Sequence, residues 1–260
     1  MKELERRARE SVHSPEPKAE GEEEEKKPKA EEEEEEKQPT TTGTPAWLGL
    51  LKCKRPHKES GFKAGTGTLI GPRIVCTAAH VVYDAAAKQA ITQGWFLRGF
   101  TGSTELERLP IEKVYIPPDY IKAVDSGSLC DRYDVAFVKL AAPAPDVARR
   151  PMFAAVKPSL AHQSLVVYGY PGATTLLRQT TPVRTGVLEE VLKEVDGPGC
   201  PLLLVSTHFD SGGSGGPVLL ANEEDLIGVV TDLVASGPNQ LLLFTTYAQK
   251  QYEEALAAFT

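Results

Sequence analysis

The stretch Ser211-Gly212-Gly213-Ser214-Gly215-Gly216-Pro217, running into Val218-Leu219-Leu220, is a glycine-rich turn that opens onto a short apolar run. One hydroxyl, that of Ser214, sits between two glycine pairs. Backbone of this composition bends sharply and presents its N–H groups to a neighbouring atom. Alone it is equally compatible with a flexible turn, so its meaning depends on what surrounds it.

Outward from the turn the chain is a series of strand-length apolar runs bounded by Gly, Pro, Asn and Asp. Examples are Gly67-Thr68-Leu69-Ile70, Arg73-Ile74-Val75-Cys76-Thr77 and Val135-Ala136-Phe137-Val138-Lys139-Leu140. Ser164–Tyr170, Pro201–Ser206, Leu226–Thr231 and Gln240–Thr245 continue the pattern. They are rich in β-branched residues and do not alternate with long amphipathic helices, which predicts an all-β barrel or sandwich. One helix is expected, at about 247–259, where Tyr252, Leu256 and Phe259 recur at spacings of four and three among alanines. The stretch Ala141-Ala142-Pro143-Ala144-Pro145-Asp146 reads as a linker that divides the globular part near residue 150.

Two upstream segments give the serine its context. Thr77-Ala78-Ala79-His80 places a histidine just past a strand end, and Asp134-Val135-Ala136-Phe137-Val138 places an aspartate at a strand start. A serine hydroxyl is a poor nucleophile at neutral pH and needs a base beside it. Histidine, with an unperturbed pKa of ~6.5, suits that task. A buried carboxylate on its far ring nitrogen fixes the tautomer and stabilises the imidazolium. His80, Asp134 and Ser214 are therefore the candidate catalytic residues. The N–H groups of Gly212 and Ser214 are the candidate oxyanion donors, of a kind whose single loss costs ~10²–10³ in rate. An α/β-hydrolase reading of Gly-x-Ser-x-Gly requires a histidine after the serine. None follows Ser214 here, since the last, His208, precedes it.

In that order, Thr77–His80, Asp134–Ala136 and Gly212–Pro217 resemble the trypsin/chymotrypsin-like serine peptidases. The resemblance spans about residues 45–250. It implies two antiparallel six-stranded β-barrels, at about 44–145 and 150–246, followed by the C-terminal helix, with the site in the cleft between them. It also implies that Thr231 hydrogen-bonds the triad aspartate, and that His208, Asp210, Val230 and Asp232 line or border the primary specificity pocket. Digestive members carry an Asp before the nucleophile that pairs with a freed N-terminus; here that residue is Gly213. They also carry cysteines flanking the histidine, whereas Val81 follows His80. These departures, with Tyr168-Gly169-Tyr170-Pro171-Gly172, make the chain more similar to the glutamyl endopeptidase and HtrA branches. No peptide-binding module follows before Thr260, so the full HtrA architecture is not expected. The position six before Ser214 is His208 and not Asp, which removes the usual support for Lys/Arg preference.

The remaining composition sets the frame. The chain carries a net charge of −7, of which positions 1–40, with 15 Glu against 9 Lys or Arg, account for −6. Residues 1–43 are expected to be a disordered Glu/Lys-rich acidic tail, because a segment so poor in apolar residues cannot offset its ordering entropy. The peptidase domain is expected at 44–260. Cys53, Cys76, Cys130 and Cys200 have irregular spacing; Cys53 and His57 stand four apart, with no second pair to complete a zinc site. No metal or other cofactor is expected. No apolar run approaches the ~20 residues of a membrane span, and no secretory leader is evident, so an intracellular, cytoplasmic protein is expected. The expected partner is a protein or peptide substrate, with neither nucleic acid nor membrane. The expected activity is internal peptide-bond cleavage through an acyl-enzyme; the competing expectation is a catalytically weak peptidase-like binding protein.

Overall fold

The computed structural model describes residues 44–57, 61–102, 104–128, 131–145, 149–154, 165–170, 183–185, 191–195, 202–205, 213–220, 224–232 and 239–260. The tail expected over 1–43 lies outside them. The apolar runs of the first half become β1 (Leu48–Lys54), β2 (Phe62–Leu69), β3 (Ile74–Thr77), the two-residue strands β4 (Tyr83–Asp84) and β5 (Gln89–Ala90), β6 (Gly94–Arg98), β7 (Glu107–Tyr115) and β8 (Ala136–Leu140). A one-turn helix α1 (Ala79–Val82) follows β3, and α2 (Pro118–Ser126) precedes β8. Six strands pair in the order β1-β2-β3-β8-β7-β6, and β6 pairs back onto β1, closing an antiparallel barrel. Leu48, Leu51, Leu69, Val75, Phe96 and Val138 are at zero exposure. Each such side chain contributes about 1.5–3 kcal/mol by leaving water.

The second half forms β9 (Met152–Phe153), β10 (Leu165–Gly169), β11 (Val183–Thr185), β12 (Val191–Val195), β13 (Leu202–Val205), β14 (Pro217–Leu220), β15 (Asp225–Asp232) and β16 (Asn239–Leu243). Their order is β11-β10-β14-β15-β16-β13-β12, with β9 running parallel beside β15. The resemblance implies a second closed six-stranded barrel. Among the described residues the strands form an open eight-stranded sheet instead. Its path ends at β11 and β12, each with one neighbour. The residues joining those two strands, 186–190, lie outside the described ones. Leu165, Val167, Val218, Ile227, Val230 and Leu241 form a separate apolar cluster on this sheet.

The expected C-terminal helix is α3 (Thr246–Phe259). Thr245 caps it, its side-chain oxygen accepting from the Tyr247 N–H at 3.4 Å. The helix docks on the first barrel. The Tyr115 hydroxyl donates to Glu254 Oε2 at 2.6 Å, and Lys139 Nζ donates to the Phe259 carbonyl at 2.6 Å, a cation at the negative end of the helix dipole. Phe153 stacks on Phe244 and Tyr252, with ring centroids 4.3 and 5.0 Å apart, and Phe137 meets Tyr252 at 5.3 Å. Barrel, β9 and helix thus share one aromatic seam. Cys53 and Cys76 are buried free thiols; burial pushes Cys53 up to about 12 and raises Cys76 as well. No described helix is long and apolar enough to cross a membrane.

Candidate active site

The pairing of β3 with β8 brings the histidine and the aspartate together. Thr77 pairs with Ala136 in antiparallel register. His80 lies three residues past the end of β3 and Asp134 two residues before the start of β8, so both fall at the same end of the barrel. Ala79–Val82 turn immediately into α1, which keeps His80 at the barrel rim. On the other side, a single 3₁₀ turn at Asp131–Tyr133 delivers Asp134 to β8, with the Asp134 N–H donating to the Asp131 carbonyl at 3.2 Å.

The carboxylate of Asp134 engages His80 twice. Oδ2 lies 2.7 Å from the ring nitrogen Nδ1, and Oδ1 accepts from the His80 backbone N–H at 2.8 Å. One oxygen orients the ring while the other fixes the main chain beneath it. The Asp134 side chain is 5% exposed and that of His80 28%. The acid is therefore shielded, while the imidazole can meet an incoming molecule through Nε2.

Ser214 occupies a tight turn that packs on the same rim. The Gly216 N–H donates to the Gly213 carbonyl at 2.9 Å, and the turn is clamped to β15 by Gly215 N–H to the Val230 carbonyl (2.8 Å) and Val230 N–H to the Gly216 carbonyl (2.9 Å). Gly215 has φ +79°, a left-handed conformation. A side chain there would strike the Thr77 hydroxyl and the Thr66 carbonyl and lie 2.9 Å from Ala78 N. The turn can therefore press against the Thr77-Ala78 segment that leads into His80 only because the residue is glycine. From the barrel, the Thr66 N–H donates to the Ser214 carbonyl at 2.8 Å. Ser214 itself is half-buried. Among the described contacts its hydroxyl makes no hydrogen bond to His80.

Gly212, His208 and Asp210 lie outside the described residues, and only the backbone of Asp232 is described. The Val230 side chain is fully buried in the apolar cluster of the second sheet, so its backbone is what faces the serine turn. Thr231 is buried at 2% exposure. Reading the sequence missed the residues that hold the serine turn in place. Thr66 is the centre of these: its hydroxyl accepts from the Tyr170 N–H at 3.0 Å and its carbonyl accepts from the Thr77 hydroxyl at 2.7 Å. Gly169 matters too, since a side chain there would come within 3.0 Å of the Gly213 Cα. A threonine between glycines in β2, Gly65-Thr66-Gly67, was the available signal.

A cavity of about 300 Å³ adjoins His80 on the barrel side. Arg55, His57, Lys63 and Asp84 contribute to its wall. Lys63 Nζ donates to the His80 carbonyl and His57 Nδ1 contacts Asp84 Oδ2. Burial lowers the Lys63 ammonium below its usual range, with the charge of Asp134 acting in the opposite direction.

A closed antiparallel barrel, a second sheet that is antiparallel apart from β9, a His–Asp pair at the barrel rim and a serine turn packed beside it define the class of chymotrypsin-fold serine endopeptidases. Residues 65–229 match the trypsin-like peptidase domain family, and this chain belongs to that family. Solved structures share the fold. A Glu endopeptidase superposes with a TM-score of 0.64 at 21% identity, covering 84% of this chain and 94% of its own. The thermostable serine protease AL20 from an extremophilic microorganism gives 0.64 at 18% identity, covering 81% and 97%. The active form of the Rv3671c protease from M. tuberculosis gives 0.56 at 21% identity, covering 83% of each chain. No curated protein matches the chain.

Proposed function

We propose that this chain cleaves internal peptide bonds through an acyl-enzyme, with Ser214 as nucleophile, His80 as general base and acid, and Asp134 as the residue that orients His80. The observation that carries the proposal is the double contact of Asp134 with His80, at 2.7 and 2.8 Å, on the rim where the Ser214 turn packs. Nδ1 is committed to the carboxylate, so Nε2 is the nitrogen available to take a proton.

In the first step the Ser214 O–H proton passes to His80 Nε2 as Oγ bonds to the substrate carbonyl carbon. The carbonyl oxygen gains the negative charge and is met by the Gly212 and Ser214 N–H groups. As the C–N bond breaks, His80 gives the proton to the departing amine, leaving an ester on Ser214. Water then attacks the ester with His80 again acting as base, and Ser214 is regenerated. In this reading residues 44–260 constitute the peptidase domain. Thr231 supports Asp134, and His208 and Asp210 with the backbone at Val230 and Asp232 border the pocket for the side chain before the cleaved bond.

The test is Ser214→Ala, assayed by turnover of a peptide mixture and by labelling with a fluorophosphonate. Turnover should fall on the order of 10⁶-fold, labelling should vanish and the thermal unfolding midpoint should stay near that of the parent. Undiminished turnover in this variant would remove Ser214 from the mechanism.

A further inference from the structure

The cavity beside His80 carries charge that the triad does not use. Its acid, Asp84, is fully engaged: it holds His57 through Oδ2 and accepts from the Ala86 and Ala87 N–H groups through Oδ1, at 3.1 and 3.3 Å. Its lining holds two cations, Arg55 and Lys63, against that one acid, and the charges of Asp134 and Asp84 offset Lys63 only in part. Arg55 is half-buried and has no ion pair among the described residues, and Lys63 spends its closest contact on a neutral carbonyl, that of His80. A concave site with an excess of cations over acids favours a bound anion, because water screens the attraction poorly there.

The position of the cavity relative to the cleaved bond follows from β2. Side chains two apart on a strand share a face. A side chain at Gly65 would lie 2.6 Å from a Val81 methyl and 3.2 Å from the Ser214 carbonyl, so Lys63 points to the same face, displaced by two residues, or ~7 Å. An extended peptide advances ~3.3–3.6 Å per residue, which places the cavity one or two residues from the cleaved bond. His80 delivers its proton to the departing amine, and among the described residues the cavity is lined by His80 and other residues of the first half of the chain, with none from the serine turn. It therefore lies on the leaving-group side, away from the oxyanion turn.

We infer that this cavity is a subsite for a carboxylate on the leaving-group part of the peptide, one or two residues beyond the cleaved bond, with Arg55 and Lys63 as the residues that select it. His57, held by Asp84, lines the same wall. The inference rests on the assignment of His80 and Ser214 above. The carboxylate is supplied either by a Glu or Asp side chain or by the chain terminus.

Two peptide mixtures randomised on both sides of the cleaved bond, one with amidated and one with free C-termini, are digested and the products identified by mass spectrometry. kcat/KM is then measured for matched peptides carrying Glu, Ala or Lys at the first two leaving-group positions. Glu over Ala is expected to be favoured by about fivefold per engaged cation, as for a partly exposed ion pair. Enrichment in the amidated set assigns the side chain, and enrichment confined to free termini assigns the terminal carboxylate. Arg55→Gln and Lys63→Gln should each cut the Glu/Ala ratio by about fivefold, and Arg55→Glu should shift the preference toward Lys. Arg55 stands at a strand end, so its variants report even if Lys63→Gln does not fold. Equal kcat/KM for all three peptides in an enzyme that labels with fluorophosphonate overturns the subsite and leaves the triad standing. Absence of both cleavage and labelling overturns the triad assignment and the subsite with it.

Discussion

Thr66 holds Ser214 by the main chain: the Thr66 N–H donates to the Ser214 carbonyl at 2.8 Å, so a strand of the closed barrel fixes the turn that belongs to the second sheet. The same threonine accepts from the Tyr170 N–H through its hydroxyl and from the Thr77 hydroxyl through its carbonyl. Thr66→Val keeps the backbone contacts and the shape but leaves the Tyr170 N–H without this acceptor in a buried place. Such a loss costs about 1–3 kcal/mol. Urea unfolding should show that loss with an unchanged slope, while kcat/KM stays within about tenfold of the parent because the tie to Ser214 is a backbone one. Stability equal to the parent would mean the Tyr170–Thr66 hydrogen bond contributes nothing net.

Gly215→Ala tests whether the serine turn depends on the missing side chain. The variant puts a non-glycine residue at φ +79° and drives its methyl into the Thr77 hydroxyl and the Thr66 carbonyl. Left-handed backbone and overpacking together cost about 3 kcal/mol. A fall in the thermal unfolding midpoint of several degrees is expected, together with loss of fluorophosphonate labelling as the turn shifts. A variant that melts with the parent and labels normally would show that the turn has room the structure does not.

Asp134→Asn separates orientation from charge. The Asn side-chain oxygen can still accept from the His80 backbone N–H, so the fold should persist. Its amide, however, presents N–H to Nδ1 and favours the wrong tautomer. A fall in kcat on the order of 10³–10⁴ is expected with an unchanged circular dichroism spectrum. A loss below tenfold would mean that Asp134 does not set the His80 tautomer.

The sequence exposed the site unevenly, for physical reasons. His80 and Asp134 were readable because each sits within three residues of a strong apolar strand, so strand pairing alone decides that they meet. The C-terminal helix was readable from its spacing, and its observed start at Thr246 differs by one residue because Thr245 supplies the cap. The contacts that fix Ser214 were not readable. Thr66 lies 148 positions before it, and no local pattern announces a hydrogen bond between two sheets. Val230 shows a related limit: the resemblance implies a place near the pocket, whereas its side chain is buried in the core and its carbonyl and N–H hold the turn. The closed second barrel was inferred from resemblance, and the described strands form an open sheet because β11 and β12 share no pairing among them.

The Asp84–His57 pair gives a pH test whose sign can be worked out beforehand. Burial alone would push the Asp84 carboxyl up. The hydrogen bond from His57 and those from the Ala87 and Ala86 N–H groups outweigh it and hold Asp84 below the ordinary carboxylate range. A folded-state value below the unfolded one, which is ~3.9, means that the ionised form is favoured by folding. The resulting stability is present in full above the unfolded value and is lost as pH falls through the folded value. Comparing the parent with Asp84→Asn by urea unfolding at a series of pH values should therefore show a gap that is level from neutral pH down to about 4 and narrows below that. A gap that stays constant to pH 2, or that is already absent at pH 7, would mean that Asp84 ionisation does not contribute to holding His57 against the wall of the cavity.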